Sequence, residues 1–160
     1  MELVKHRPIY QARLPAPFCV LGIQCNDEAL TGITFLSAHN KLKSANNSLA
    51  KEICRQLHAY LLESDFQFDL PLKLNGTEHQ LKVWHALQEV PYGKVQTYGD
   101  LAKLVQSSPR AVGQACGNNP IPIVVPCHRI VGKSGLGGFM HSSERKELNI
   151  KRWLLAHEQH

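Results

Sequence analysis

Pro126-Cys127-His128-Arg129 is where residue types that could make and direct a nucleophile stand together in this sequence. A thiol attacks as its thiolate, so it needs a base or a positive field close by, and His128 and Arg129 supply one of each type. The run from Ile121 to Val131 is β-branched and broken by prolines, which predicts a buried, extended and rigid support for the cysteine. Gly132 to Gly138 follows with four glycines in seven residues, a mobile or tightly turned lip beside the thiol. The chemistry on offer is capture of an electrophile by sulfur. The same residues also describe a buried cysteine next to a structural histidine, because adjacent side chains often point apart. Spacing alone leaves both readings open.

The other cysteines, Cys19, Cys25, Cys54 and Cys116, bring the total to an odd five with no disulfide-framework spacing, and they read as free thiols. The sequence has no C-x-x-C and no H-E-x-x-H. Cys54 and His58, four apart on a predicted helix, are the one hint of a metal site, and no metal is expected.

Two kinds of architecture must position this cluster. Phe18 to Ile23 and Leu30 to Leu36 are short, apolar and rich in β-formers, with the Asn26-Asp27 turn signal between them. Residues 38–47 are polar and predict a loop, and Ser48 to Leu62 repeats apolar residues at helical spacing. Leu70, Leu72 and Leu74 alternate as in a strand or extended connector that ends at Asn75-Gly76. The character changes at Thr77. Thr77-x-x-Gln80 and Thr97-x-x-Asp100 are capping-box signatures, the first followed by Leu81, Trp84 and Leu87, the second by Leu101, Leu104 and Val105. Ser108 followed by Pro109 predicts a third helix start, with Gly117 as its stop. Two short helices across a tight turn form a helix-turn-helix candidate. A last helix is predicted from Ser143 to His157, packing Leu148, Trp153, Leu154 and Leu155. The expected organisation is an α/β domain over residues 1–75 and a mainly helical domain over residues 76–160.

At 160 residues, 43% hydrophobic and 19% charged, the chain has the make-up of a globular protein of one or two small domains. It lacks the run of about 18 apolar residues that spans a membrane. Met1 to Tyr10 carries charges and a proline where a signal peptide needs an apolar stretch, so a cytoplasmic location is expected. The net charge of +5 is uneven: eight Lys and Arg face seven Asp and Glu up to Gly76, and ten face six from Thr77 onward. A basic C-terminal half suits a polyanionic partner.

The stretch from Asn119 to Gly132 closely resembles the signature of the O6-alkylguanine-DNA alkyltransferases. Further blocks resemble the same family in the same order: Trp84 to Gly93, Thr97 to Ala102, Arg110 to Gly113, and Trp153 to Glu158. The resemblance implies a ribonuclease-H-like α/β domain, a small sheet plus helix, before a domain with a winged-helix-like helix-turn-helix. It implies direct-reversal repair of double-stranded DNA without a cofactor, by a monomer that binds the minor groove, flips O6-alkylguanine or O4-alkylthymine out of the stack and moves the alkyl group irreversibly to Cys127. On that likeness His128 draws the thiol proton through a bridging water, Glu158 orients His128, Asn119 ties the turn, and Tyr98 rotates the phosphate and protonates guanine N3. Arg110 is the finger that fills the vacated stack; Ala111, Gly113, Gly99, Ser108, Lys133 and Ser134 are DNA-facing; Pro122, Val125, Phe139 and Met140 wall the base pocket.

Three places depart from the family pattern. His79 stands where an aromatic is usual, the Tyr98–Arg110 segment is short, and His141-Ser142-Ser143 replaces a glycine pair, which predicts a stiffer lip with less tolerance of bulky alkyl groups. Three rival functions bear on these residues. A non-transferring protein that flags alkylated DNA would lack Cys127. A helix-turn-helix regulator has no need of Pro126 to Arg129 beside a glycine lip. A cysteine hydrolase has no need of the Tyr98 and Arg110 blocks.

Overall fold

The computed structural model describes residues 8–159; Met1 to Arg7, most of the stretch read above for a leader, and His160 lie outside the described residues. Strands β1 (Ala12–Pro15), β2 (Val20–Cys25) and β3 (Leu30–Leu36) form an antiparallel meander, and helix α1 (Ser48–Leu62) packs on it. Asn47 caps α1 by accepting the Ala50 amide at 2.7 Å, and Ile53, Leu57 and Tyr60 are turned to the core.

Strand β1 corrects the sequence reading, which placed the first strand at Phe18. Four residues ending in Pro15 give little alternation to detect, and proline is tolerated there because β1 is an edge strand. Phe18 instead belongs to the turn closed by Ala16 N–H donating to Cys19 O.

After α1 the chain runs extended past β3, where Leu30 exchanges backbone bonds with the Pro71–Lys73 segment, so the leucine alternation marks a connector. Helices α2 (Glu78–Gln88), α3 (Tyr98–Val105) and α4 (Pro109–Gly117) follow. Both predicted capping boxes are present with both of their bonds, at Thr77 and at Thr97. Leu104, one of the apolar residues that mark α3 in the sequence, is 67% exposed; Leu101, Ala102 and Val105 are the face that packs. The α3–α4 turn passes through Gln106 in the left-handed region, and Ser108 caps α4 with Pro109 at its first position.

The Ile121–Val131 run is buried as expected but is not one extended element. It folds back at Ile123, forms a 3₁₀ turn at Cys127–Arg129, and ends in strand β5 (Ile130–Val131), which lies parallel to β4 (Gln96–Thr97). Helix α5 (Arg145–His157) starts two residues later than predicted, at the uncapped Glu144. One apolar cluster joins both halves of the chain, from Leu21, Ile23 and Ile53 through Trp84 and Leu101 to Ile130 and Leu154. Among the described residues no helix is long and apolar enough to cross a membrane.

Candidate active site

Cys127 opens the 3₁₀ turn and is held by the backbone around it. The preceding fold-back puts Ile123 at φ 74°, a conformation that costs a β-branched residue on the order of 1–3 kcal/mol. Buried Asn119 opposes that cost: its amide donates to Val125 O at 2.8 Å while its Oδ1 accepts from Ile121 N–H at 2.9 Å. Asn119 therefore ties the turn that carries the cysteine. Cys127 is 4% exposed, and burial pushes its thiol up to about 11, a rise that Asn119 and the positive charge of Lys151 only moderate.

Behind the thiol, His128 Nε2 lies 2.9 Å from both carboxylate oxygens of Glu158. Arg129 donates from Nε to Glu158 Oε1 at 2.8 Å and from Nη2 to Oε2 at 3.0 Å, and its Nη1 is anchored on Val90 O. Burial would raise Glu158, but its hydrogen bonds and the charges of its partners hold it at about 2. His128 is lowered by its complete burial despite the carboxylate beside it. The resting site is therefore a neutral imidazole next to a carboxylate whose charge is balanced by Arg129. That is the state of a base ready to take a proton. Among the described residues His128 Nδ1 has no hydrogen-bond partner and can bond a water, while Nε2 is committed to Glu158.

In front of Cys127 lies a cavity of about 340 Å³ whose wall includes Tyr98, Phe139 and Met140. The Tyr98 phenol donates to Gly138 O at 3.4 Å; burial pushes it up to about 12, so it remains a proton donor at neutral pH. Pro122 and Val125, expected in this wall, are instead buried in the turn beneath the cysteine, where Val125 O is taken up by Asn119. Just past the glycine lip the chain turns sharply without glycine, with Met140 at φ 52° and His141 at φ 62°. His141 seats its ring where a side chain at Gly117 would stand and pairs Nε2 with Asn118 Oδ1 at 2.9 Å, joining the lip to the end of α4.

Lys151 is a site residue that sequence reasoning passed over. It is fully buried, and its ammonium donates to three backbone carbonyls: Ile130 at 2.6 Å, Leu136 at 2.7 Å and Gly138 at 2.9 Å. Three acceptors match the three N–H bonds of the charged form, which survives at neutral pH although burial lowers Lys151 to about 8. This lysine closes the glycine lip into a fixed turn and places a positive charge near the thiol. The signal was available, since position 151 sits three residues from both Leu148 and Leu154 on the apolar stripe of α5. Lys151→Met should lose about 2–4 kcal/mol by stranding buried carbonyls. That corresponds to a melting temperature lower by about 5–15 °C, read by calorimetry.

The expected DNA-facing residues group around α3 and α4. Ser108 and Arg110 are exposed, and Gly99, Ala111 and Gly113 are half-buried. Inside the protein a side chain at Gly113 would meet only the Tyr98 ring at an ordinary 3.8 Å, so internal packing does not demand a small residue there. Lys133 and Ser134 project from the exposed lip. Trp84 donates to Ala115 O at 2.8 Å and so fixes α2 to α4, while His79, at the usual aromatic position, pairs with Ser107 Oγ at 2.7 Å in the α3–α4 turn. Among the described residues no three His, Cys, Asp or Glu side chains gather as a metal-binding group.

A helix-turn-helix beside a buried cysteine with a histidine–glutamate pair behind it is the class of site these elements define. Residues 78–160 match the family model described as the DNA-binding domain of 6-O-methylguanine DNA methyltransferase. The methylated-DNA–protein-cysteine methyltransferase of Methanosarcina acetivorans is 36% identical over 151 residues, covering 89% of this chain and 97% of its own. The Mycobacterium tuberculosis O6-methylguanine methyltransferase superimposes with a TM-score of 0.77 at 32% identity, covering 92% of this chain and 90% of its own. The Mycobacterium tuberculosis OGT in complex with DNA gives 0.74 at 34%, covering 92% and 91%. The chain belongs to the O6-methylguanine-DNA methyltransferase family.

Proposed function

We propose that this protein repairs alkylated DNA by direct reversal, moving the alkyl group of O6-alkylguanine, and of O4-alkylthymine, onto its own Cys127. The observation that carries this reading is the acceptor thiol facing the cavity beside α4, with the His128–Glu158–Arg129 group behind it. His128 accepts the thiol proton through a water on Nδ1, and Glu158 stabilises the imidazolium that forms. The thiolate attacks the alkyl carbon in line, the carbon–oxygen bond breaks, and guanine leaves as Tyr98 protonates N3. A thioether forms and nothing regenerates the thiol, so each molecule acts once and needs no cofactor.

The target carbon is unreachable inside a stacked duplex, so the nucleotide is flipped out at a cost of a few kcal/mol. Exposed Arg110 fills the gap, and the small residues Ala111 and Gly113 allow α4 close to the minor groove. Ser108, Gly99, Lys133 and Ser134 meet the DNA backbone. Phe139 and Met140 hold the flipped base with Tyr98. Residues 76–160 carry binding and transfer as one domain. We read the N-terminal domain, residues 1–75, as ribonuclease-H-like on the strength of its β1-β2-β3 meander with α1, and the α3–α4 pair with the short β4–β5 ladder as winged-helix-like. The protein acts as a monomer in the cytoplasm.

The test is to mix the protein with a duplex oligonucleotide carrying one O6-methylguanine and weigh the intact protein. One added methyl group, mapped to the peptide that holds Cys127, is the expected result. An unchanged mass with the oligonucleotide still bound overturns transfer and leaves a damage-flagging protein.

A further inference from the structure

Glu158 has a hydrogen-bond donor that comes from the other half of the chain. The Tyr60 hydroxyl, on α1, reaches Glu158 Oε2 at 3.1 Å across 98 positions of sequence. Both residues are almost fully buried, at 1% and 2% exposure. The phenol cannot swing away: its ring meets Phe68 at 5.4 Å and His157 edge-on at 5.2 Å, and the Tyr60 carbonyl is bound by His157 Nε2 at 2.6 Å. Glu158 is consequently held from three directions, by Arg129 in a fork, by His128, and by Tyr60.

We propose that Tyr60 is a positioning residue of alkyl transfer, through which the N-terminal half of the chain orients the carboxylate that His128 uses. The inference rests on the transfer reading above and deepens it. A buried carboxylate is oriented by its donors, and each donor withdraws some of the charge it offers the imidazole. With Tyr60 in place, Glu158 is fixed in the plane of the fork and shared between three partners. Without it, one lone-pair direction on Oε2 is released, the carboxylate binds the imidazolium more strongly, and His128 holds its proton to higher pH. A His128 that is already protonated cannot accept the proton of Cys127. The acid side of the rate profile therefore moves upward. The charged and titratable groups facing the pair are Tyr60 from α1, Arg129 from the 3₁₀ turn, and Lys151 and His157 from α5; Tyr60→Phe leaves the other three in place.

The experiment compares wild type and Tyr60→Phe as full-length proteins, keeping the ring and its contacts. Single-turnover transfer from a duplex oligonucleotide carrying O6-methylguanine is followed across pH. Removing one buried hydrogen bond should move the acid limb upward and slow transfer by about threefold to tenfold on that limb, with oligonucleotide affinity unchanged. His128 ring titration by nitrogen NMR, without DNA, should move the same way and guards against a variant that is merely less stable. An identical pH profile and an identical ring titration overturn the proposal. If wild type transfers nothing, the transfer reading fails on its own, and the ring titration still decides whether Tyr60 controls His128.

Discussion

A protein carrying Cys127→Ser should bind duplex DNA as wild type does and transfer no alkyl group. Serine keeps the size and the hydrogen-bonding turn, and Asn119 still closes the Ile121–Val125 fold-back. What disappears is an atom that can become an anion. Even the cysteine is disfavoured at rest: burial pushes its thiol up to about 11, so it is held protonated at neutral pH. On the proposed mechanism the site stores a protonated nucleophile and creates the anion when His128, lowered by burial, takes the proton. A hydroxyl is harder to deprotonate by several further units and is a poorer nucleophile, so its rate falls below detection. The check is intact-protein mass after incubation with the methylated duplex, with gel mobility as the binding control. A methyl group on the variant, at any position, would remove Cys127 from its role. The same burial predicts that small alkylating reagents label resting Cys127 slowly, and faster as pH rises towards 11.

The parts of this molecule that were legible in the sequence are those written locally. Thr77 with Gln80, Thr97 with Asp100, and Ser108 with Pro109 each place a helix start within three residues of chain, and all three caps are made as spelled. Helix α1 was legible over its full length because its apolar positions repeat within one element. The failures were decided by distant partners. Leu101 and Leu104 both carry the local apolar pattern of α3, and the packing of neighbouring helices covers Leu101 and leaves Leu104 67% exposed. Ile121 to Val131 has the composition of a strand. Its fold-back at Ile123 depends on Asn119 bonding two backbone groups, a contact no periodicity announces.

The candidate site divides in the same way. Cys127, His128 and Arg129 are adjacent, and their types alone suggested a nucleophile with a base. Glu158 gained a role only through resemblance to the family; the structure buries it against His128 and Arg129. Tyr60 gave no local sign of its partner 98 positions away, and Lys151, though marked by its place on the apolar stripe of α5, gave none of its carbonyl partners 13–21 positions off. Both supply hydrogen bonds to acceptors far away in the sequence. Support of this kind is a property of the assembled core.

Glu158→Gln should be the most damaging change short of losing the thiol, because one side chain serves both the chemistry and the core. The amide keeps the shape but offers one acceptor oxygen and adds two N–H donors where Arg129 and Tyr60 already donate. Arg129, 13% exposed, is left with its charge unpaired, and breaking a buried pair this way costs about 3–5 kcal/mol. The imidazolium formed from His128 also loses its counter-charge. By analogy with removal of the orienting carboxylate from other acid–base groups, the single-turnover rate should fall by about 10²–10⁴. Acid provides an independent check. Glu158 is held at about 2, below the ordinary glutamate value of about 4.3, so between those values the unfolded chain binds the extra proton. Its contribution of about 3 kcal/mol is complete above the unfolded value and is lost as pH falls towards the folded one. Denaturant midpoints measured from about pH 7 down to about pH 3 should show the gap between wild type and variant narrowing as wild type loses this increment. Parallel curves would mean that the carboxylate is not held ionised by Arg129, and the picture of a charge-balanced carboxylate behind a neutral base would fail with it.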